Sequence, residues 1–199
     1  MKNKAKIAVL VSGGGTNLQA LIDAQKSGII ANGGIELVIS NKGGAYALER
    51  AANAGIKTET VLKNETPDFE GKIISLLEEN GIDVIVLAGF MSILSERFTS
   101  HFENRILNVH PSLIPSFCGE GFYGLRVHQA ALDYGVKVTG ATVHFVNEIP
   151  DGGKIIMQKA VEIQPDDTPE TLQRRVMEQA EWIILPLSVE KVCKEITEG

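Results

Sequence analysis

The chain has 199 residues, 44% hydrophobic and 22% charged, a length and balance that suit one globular domain over residues 1–199. Its net charge of −6, without a basic run, speaks against a nucleic-acid partner, although backbone amides can hold a small anion without net positive charge. Cys118 and Cys193 stand far apart with no CxxC partner, which sets aside a disulfide framework and a zinc site. No signal-peptide core or membrane-length apolar run occurs, so the expectation is a cytoplasmic protein that does not contact membrane.

The opening residues lead directly into a β-branched run at 6–11 (KIAVLV), closed by Ser12-Gly13-Gly14-Gly15. A helix is predicted from Thr16, with Leu18, Leu21 and Ile22 on one face. Residues 35–40 (IELVIS) form a second strand, and 46–54 a helix closed by Gly55. Thr66-Pro67 is expected to open a third helix, with proline where its missing N–H does least harm. Phe69, Ile73 and Leu77 line its buried side, and Gly81 ends it. The apolar run 83–88 (DVIVLA) fits a strand covered on both faces, and 106–110 is the next strand.

The pattern then changes. Residues 138–146 and 154–161 are long strand candidates joined by a link too short for a parallel crossover, which predicts an antiparallel pair. The last helix starts at Thr168-Pro169, with Leu172, Val176, Ala180, Ile183 and Leu187 at helical spacing. Pro186 is expected to kink or break it. The whole is an α/β, single-domain, Rossmann-like open sheet, with a parallel N-terminal half, an antiparallel C-terminal hairpin and helices on both faces. Ligands of such sheets gather outside the carboxyl ends of the strands. The glycine-rich loop, the turn after residue 88 and the end of strand 106–110 meet there.

The loop Ser12-Gly13-Gly14-Gly15-Thr16-Asn17 matches neither common nucleotide motif. A dinucleotide fingerprint starting at Gly13 requires glycine where Leu18 stands, and no Gly-Lys-Ser/Thr follows. A tight βα turn is the plainer reading. A site for one terminal phosphate fits better, because glycines bring amides close to an anion at a helix start, and Thr16 and Asn17 add side-chain donors. In Ile106-Leu107-Asn108-Val109-His110-Pro111, Asn108 and His110 are two residues apart on a strand and share a face. An amide donor beside an imidazole at a ligand edge is equipment for polarising a carbonyl. Asp151, in the hairpin link, is also part of an ordinary Asp-Gly turn signal.

Five segments occur in order: Ser12-Gly-Gly-Gly-Thr-Asn-Leu-Gln, Leu87-Ala-Gly-Phe-Met, Leu107-Asn-Val-His-Pro-Ser-Leu-Ile-Pro, His144-Phe-Val and Asp151-Gly-Gly. Together the chain resembles the folate-dependent formyltransferases over nearly its whole length, and within them the glycinamide ribonucleotide formyltransferases. The resemblance implies formyl transfer from 10-formyltetrahydrofolate to the amine of glycinamide ribonucleotide in purine biosynthesis, with no metal and no covalent intermediate. It implies Asn108, His110 and Asp151 as the catalytic trio. Asn108 and a protonated His110 would stabilise the oxyanion, and Asp151 would assist the imidazolium and the proton transfer. It places the substrate phosphate on Gly14, Gly15, Thr16 and Asn17. The folate pterin falls against Met91, Ser92, Ile93 and Leu94 and the loop with Asn147, Glu148 and Ile149. Glu181, matched through a one-residue offset before Pro186, is the carboxylate that meets the glycinamide substrate.

The chain departs from the family pattern after Pro115, where Ser116-Phe117-Cys118-Gly119 and an insertion at 120–124 replace a basic residue and an aromatic-Pro-Gly step. His128 corresponds to a histidine on the helix that follows, and Arg126 stands where another is common. The substrates are the expected partners, acting on a monomer or a homodimer. Three readings compete: a formyltetrahydrofolate deformylase, which usually carries an extra leading domain; a methionyl-tRNA formyltransferase, which adds a C-terminal domain; and a non-catalytic Rossmann-like module.

Overall fold

A computed structural model describes residues 4–199; residues 1–3, part of the opening segment expected to lead into the first strand, lie outside the described residues. The sheet has seven strands in the order β3-β2-β1-β4-β5-β6-β7. β1 (Ala5–Val11), β2 (Gly33–Ser40), β3 (Lys57–Thr60), β4 (Val84–Leu87) and β5 (Ile106–His110) run parallel, whereas β6 (Val138–Phe145) and β7 (Ile155–Glu162) are antiparallel to their neighbours. This is the mixed sheet expected from the sequence. The strand order reverses between β1 and β4, which opens a crevice at their carboxyl ends.

Alternation along the strands divides the apolar residues into two cores. Val9, Val86, Leu107 and Val143 face α1 (Thr16–Ser27), α2 (Tyr46–Asn53), α6 (Pro169–Val176) and α7 (Trp182–Glu198). Leu10, Ile85 and Ile106 face α3 (Phe69–Glu79) and α4 (Glu96–His101), where Ile73, Leu77 and Phe98 are fully buried. Register lines up Leu10, Leu87, Asn108 and His144 as one row across four strands. Most of β6 therefore stands beyond the carboxyl ends of β1 and β4, as a wall on one side of the crevice.

Several boundaries differ from expectation for identifiable reasons. α3 begins at Phe69 and not at Thr66-Pro67, because the Asp68 carboxylate accepts from Gly71 N at 3.0 Å and supplies the cap. β3 (KTET) has no apolar alternation to announce it, being a short edge strand with no fully buried residue. α4 has only six residues, and α5 (Leu125–Tyr134) lies between glycines of positive φ, Gly124 and Gly135.

The last helix holds the largest correction. Leu172, Val176 and Ala180 are buried as predicted, but Ile183 and Leu187 are 43% and 42% exposed, and Ile184, Leu185, Val189 and Val192 pack inside instead. A π-turn at Met177–Glu181 separates α6 from α7. Its extra residue rotates the following helix by roughly 100° relative to an uninterrupted stripe. Pro186 lies inside α7 without ending it. Its ring crowds the carbonyl of Trp182 four residues back and offers that carbonyl no N–H, and the widened turn immediately precedes this point. Ahead of α6, Thr168 accepts from Thr171 N, and Asp167 holds Arg175 through both carboxylate oxygens.

Candidate active site

β5 ends at the crevice, and its even-numbered residues project from the Ile106 face. Asn108 and His144 are cross-strand partners, as are His110 and Thr142, so four polar side chains share one patch of sheet. Asn108 Nδ2 lies 3.3 Å from His144 Nε2. His144 Nδ1 donates to the Phe145 carbonyl at 2.8 Å. His110 Nε2 donates to the Phe117 carbonyl at 2.9 Å, and its Nδ1 lies 3.4 Å from Asp151 Oδ2.

Asp151 reaches this patch from the β6–β7 link, with φ 55°. Its Oδ2 accepts from Gly119 N at 2.9 Å and its Oδ1 lies 3.5 Å from His144 Nε2. The structure thus brings Asn108, His110 and Asp151 together and adds His144, which sequence reasoning assigned no role. The signal that would have found it is register: His144 stands opposite Asn108, two residues from Thr142, on a strand antiparallel to β5. Thr142 secures the turn after His110, since its hydroxyl donates to the Ser112 carbonyl at 2.7 Å and accepts from Ile114 N at 3.1 Å.

Burial works on both members of the His110–Asp151 pair. It lowers the His110 pKa, and although Asp151 and the Phe117 carbonyl oppose this, the imidazole stays below its ordinary value. Burial alone would raise Asp151, but the His144 hydrogen bond, the His110 charge and the Gly119 N–H outweigh it and hold the carboxyl below its usual range. The resting pair at neutral pH is therefore a neutral imidazole beside a carboxylate. His128, on α5, is buried with neither ring nitrogen hydrogen-bonded, and burial with the His110 charge lowers its pKa to about 4. The Cys118 thiol is raised by burial and by Asp151, which makes it a poor nucleophile.

The glycine-rich loop lies at the crevice between β1 and α1. Gly15 has φ 72°, and a Cβ there would meet Ala47 Cβ at 2.6 Å, so both backbone conformation and space require glycine. α1 has no side-chain cap and no acidic residue in its first turn, leaving its leading amides for an anion. Asn17 Nδ2 donates to Glu181 Oε2 at 2.8 Å. Glu181 sits at the end of the π-turn and is 6% exposed, far from the solvated helix face that is common for glutamate. Burial pushes its carboxyl up to about 7 despite the Asn17 bond.

Across the crevice, Met91 N donates to Ser12 Oγ and Asn41 Nδ2 to Ser92 Oγ, which ties the turn after β4 to the ends of β1 and β2. Met91 and Ile93 are exposed, and Leu94 belongs to the α3–α4 core. Asn147 spends its carbonyl on Ile149 N at 3.1 Å; Glu148 and Ile149 are exposed. A cavity of about 430 Å³ is lined by Thr99, Phe145, Val146, Asn147 and Glu148. Met91 to Leu94 are not part of that lining. Among the described residues no group of three or more His, Cys, Asp and Glu is arranged to hold a metal ion, and no helix is long and apolar enough to cross a membrane.

Comparison with known proteins gives this geometry a context. The family described as formyl transferase matches residues 5–188. The chain is 45% identical over 197 residues to the phosphoribosylglycinamide formyltransferase of Haemophilus influenzae, covering 98% of this chain and 88% of that protein. It is 45% identical over 194 residues to the human trifunctional purine biosynthetic protein adenosine-3, covering 96% of this chain but spanning only 18% of that relative's length. A crystal structure of glycinamide ribonucleotide transformylase 1 from Symbiobacterium toebii superposes with a TM-score of 0.90 at 39% identity, covering 96% of this chain and 89% of the other. A match running from the first strand to the middle of α7, through every segment that builds the crevice, makes this chain a member of the formyl transferase family.

Proposed function

We propose that the chain transfers the formyl group of 10-formyltetrahydrofolate to the amine of phosphoribosylglycinamide, releasing formylglycinamide ribonucleotide and tetrahydrofolate in purine biosynthesis. The observation that carries this reading is the convergence of Asn108, His110 and Asp151 at a crevice whose other wall is an uncapped, glycine-led helix start. The relatives named for that reaction support it. The α1 amides with Gly14, Gly15, Thr16 and Asn17 receive the phosphate, and Glu181 meets the glycinamide end. The pterin lies against Met91 to Leu94 and the 147–149 loop, and the cavity beside Asn147 and Glu148 supplies room on that side.

The neutral amine attacks the formyl carbon, and negative charge develops on the formyl oxygen. Asn108 Nδ2 and His110 Nε2–H stabilise it, which requires the Phe117 carbonyl to give up its bond to Nε2. As the charge grows, His110 takes at Nδ1, where the Asp151 carboxylate already faces it, the proton that the attacking nitrogen sheds by way of water. The proton from the attacking nitrogen passes through this pair, by way of water, to the folate nitrogen, and the C–N bond to the folate breaks. The test mixes 10-formyltetrahydrofolate with phosphoribosylglycinamide and repeats the assay without the amine. Formylated product only in the complete mixture supports the reading; formate release without the amine replaces it with a deformylase.

A further inference from the structure

The glycine-rich loop is fastened from behind by α2. Ala47 N donates to the Gly13 carbonyl at 3.0 Å, and Arg50 Nε donates to the Gly14 carbonyl at 2.9 Å. Arg50 is itself fixed: its Nη1 donates to Gln19 Oε1 at 3.1 Å, and its guanidinium lies 4.8 Å from the centre of the Tyr46 ring. In a trans peptide the carbonyl of one residue and the N–H of the next point in opposite directions. Drawing the Gly13 and Gly14 carbonyls toward α2 therefore turns the N–H groups of Gly14 and Gly15 away from it.

From this geometry we infer that Arg50 is the positioning residue of the anion loop: by holding the Gly14 carbonyl it aims the amides that receive the substrate phosphate. The inference rests on the phosphate placement proposed above. Arg50 acts through the backbone and not as a charge on the ligand, because it bonds the face of the peptide opposite the Gly15 N–H. Its guanidinium is already engaged by Gln19 and Tyr46. α2 thereby contributes to a site formed by β1 and α1.

Glutamine places an N–H donor as many bonds from Cα as arginine Nε and carries no charge; lysine keeps the charge but has a methylene there. The experiment compares kcat/KM for phosphoribosylglycinamide with that for its dephosphorylated riboside in the full-length wild type, Arg50→Ala, Arg50→Gln and Arg50→Lys. The ratio of the two is independent of the fraction of enzyme that is folded. Arg50→Ala and Arg50→Lys are expected to lower the ratio about tenfold, while Arg50→Gln keeps most of it. An unchanged ratio in Arg50→Ala overturns the inference, as does a ratio kept by lysine and lost by glutamine. A wild type that does not distinguish the two substrates removes the phosphate placement itself, and this inference with it.

Discussion

His110 meets acceptors at both ring nitrogens, the Phe117 carbonyl and the Asp151 carboxylate, and is nonetheless held toward the neutral form by burial. Such a ring gains a ready ion pair as soon as it takes a proton, which suits a group that must answer charge appearing only during the reaction. Asn108→Ala, His110→Ala and Asp151→Ala are each expected to lower kcat by about 10²–10³ with little change in thermal midpoint. Steady-state rates beside melting curves check this, and near-normal turnover by His110→Ala rejects the assignment. Glu181 gives a second prediction. The folded chain retains a proton there that the unfolded chain releases between pH 4.5 and about 7. Its stabilising contribution is thus complete below pH 4.5 and lost as pH rises through 7. Relative to Glu181→Gln, wild type should lose stability between about pH 5 and about pH 8; denaturant midpoints across that range decide it, and a constant difference refutes it. Asn108 and His110 were legible in the sequence because strand alternation alone puts them on one face. The part played by His144 was not, because it depends on the register between two strands that are distant in sequence.

Among the elements, the segment 167–198 shows how local signals and packing divide the work. Thr168-Pro169 marks the start of α6 in sequence, and the structure adds Asp167, whose carboxyl is lowered to about 2, chiefly by its hydrogen bond with Arg175. Asp167→Ala is expected to cost about 1–3 kcal/mol at neutral pH. Because the folded value lies below the ordinary 3.8, that contribution is present above pH 3.8 and fades as pH falls through 2. Urea unfolding of wild type and variant compares the two, and equal midpoints at neutral pH would discard the role. The π-turn was invisible to periodicity, which assumes constant pitch and so assigned Ile183 and Leu187 to the core. At the end of that turn the Glu181 carboxylate accepts from Asn17. β3 and α4 escaped notice because short, half-exposed elements carry too few apolar positions to show a period.

At the scale of the whole molecule, hydrophobic runs and the short link after residue 146 were enough to indicate a mixed sheet, while strand order and the height at which β6 meets β5 came only from the structure. With a net charge of −6, the overall field does not draw in the anionic substrate proposed above, which leaves that task to local amides. Removing the substrate phosphate is therefore expected to weaken binding by about tenfold or more; calorimetric titration of the phosphorylated and dephosphorylated forms tests it, and equal affinities would contradict it. The division of the core by the sheet has a last consequence. The glycine loop and Glu181 approach from the α1–α7 side, whereas Asn108, His110 and His144 project from the Ile106 side. Under the proposed function, a molecule anchored by its phosphate presents its amine to the formyl carbon by arching over the rim between them. On that reading the thickness of one β-sheet acts as a ruler, and the proposed substrate is selected by span as well as by the groups at its two ends.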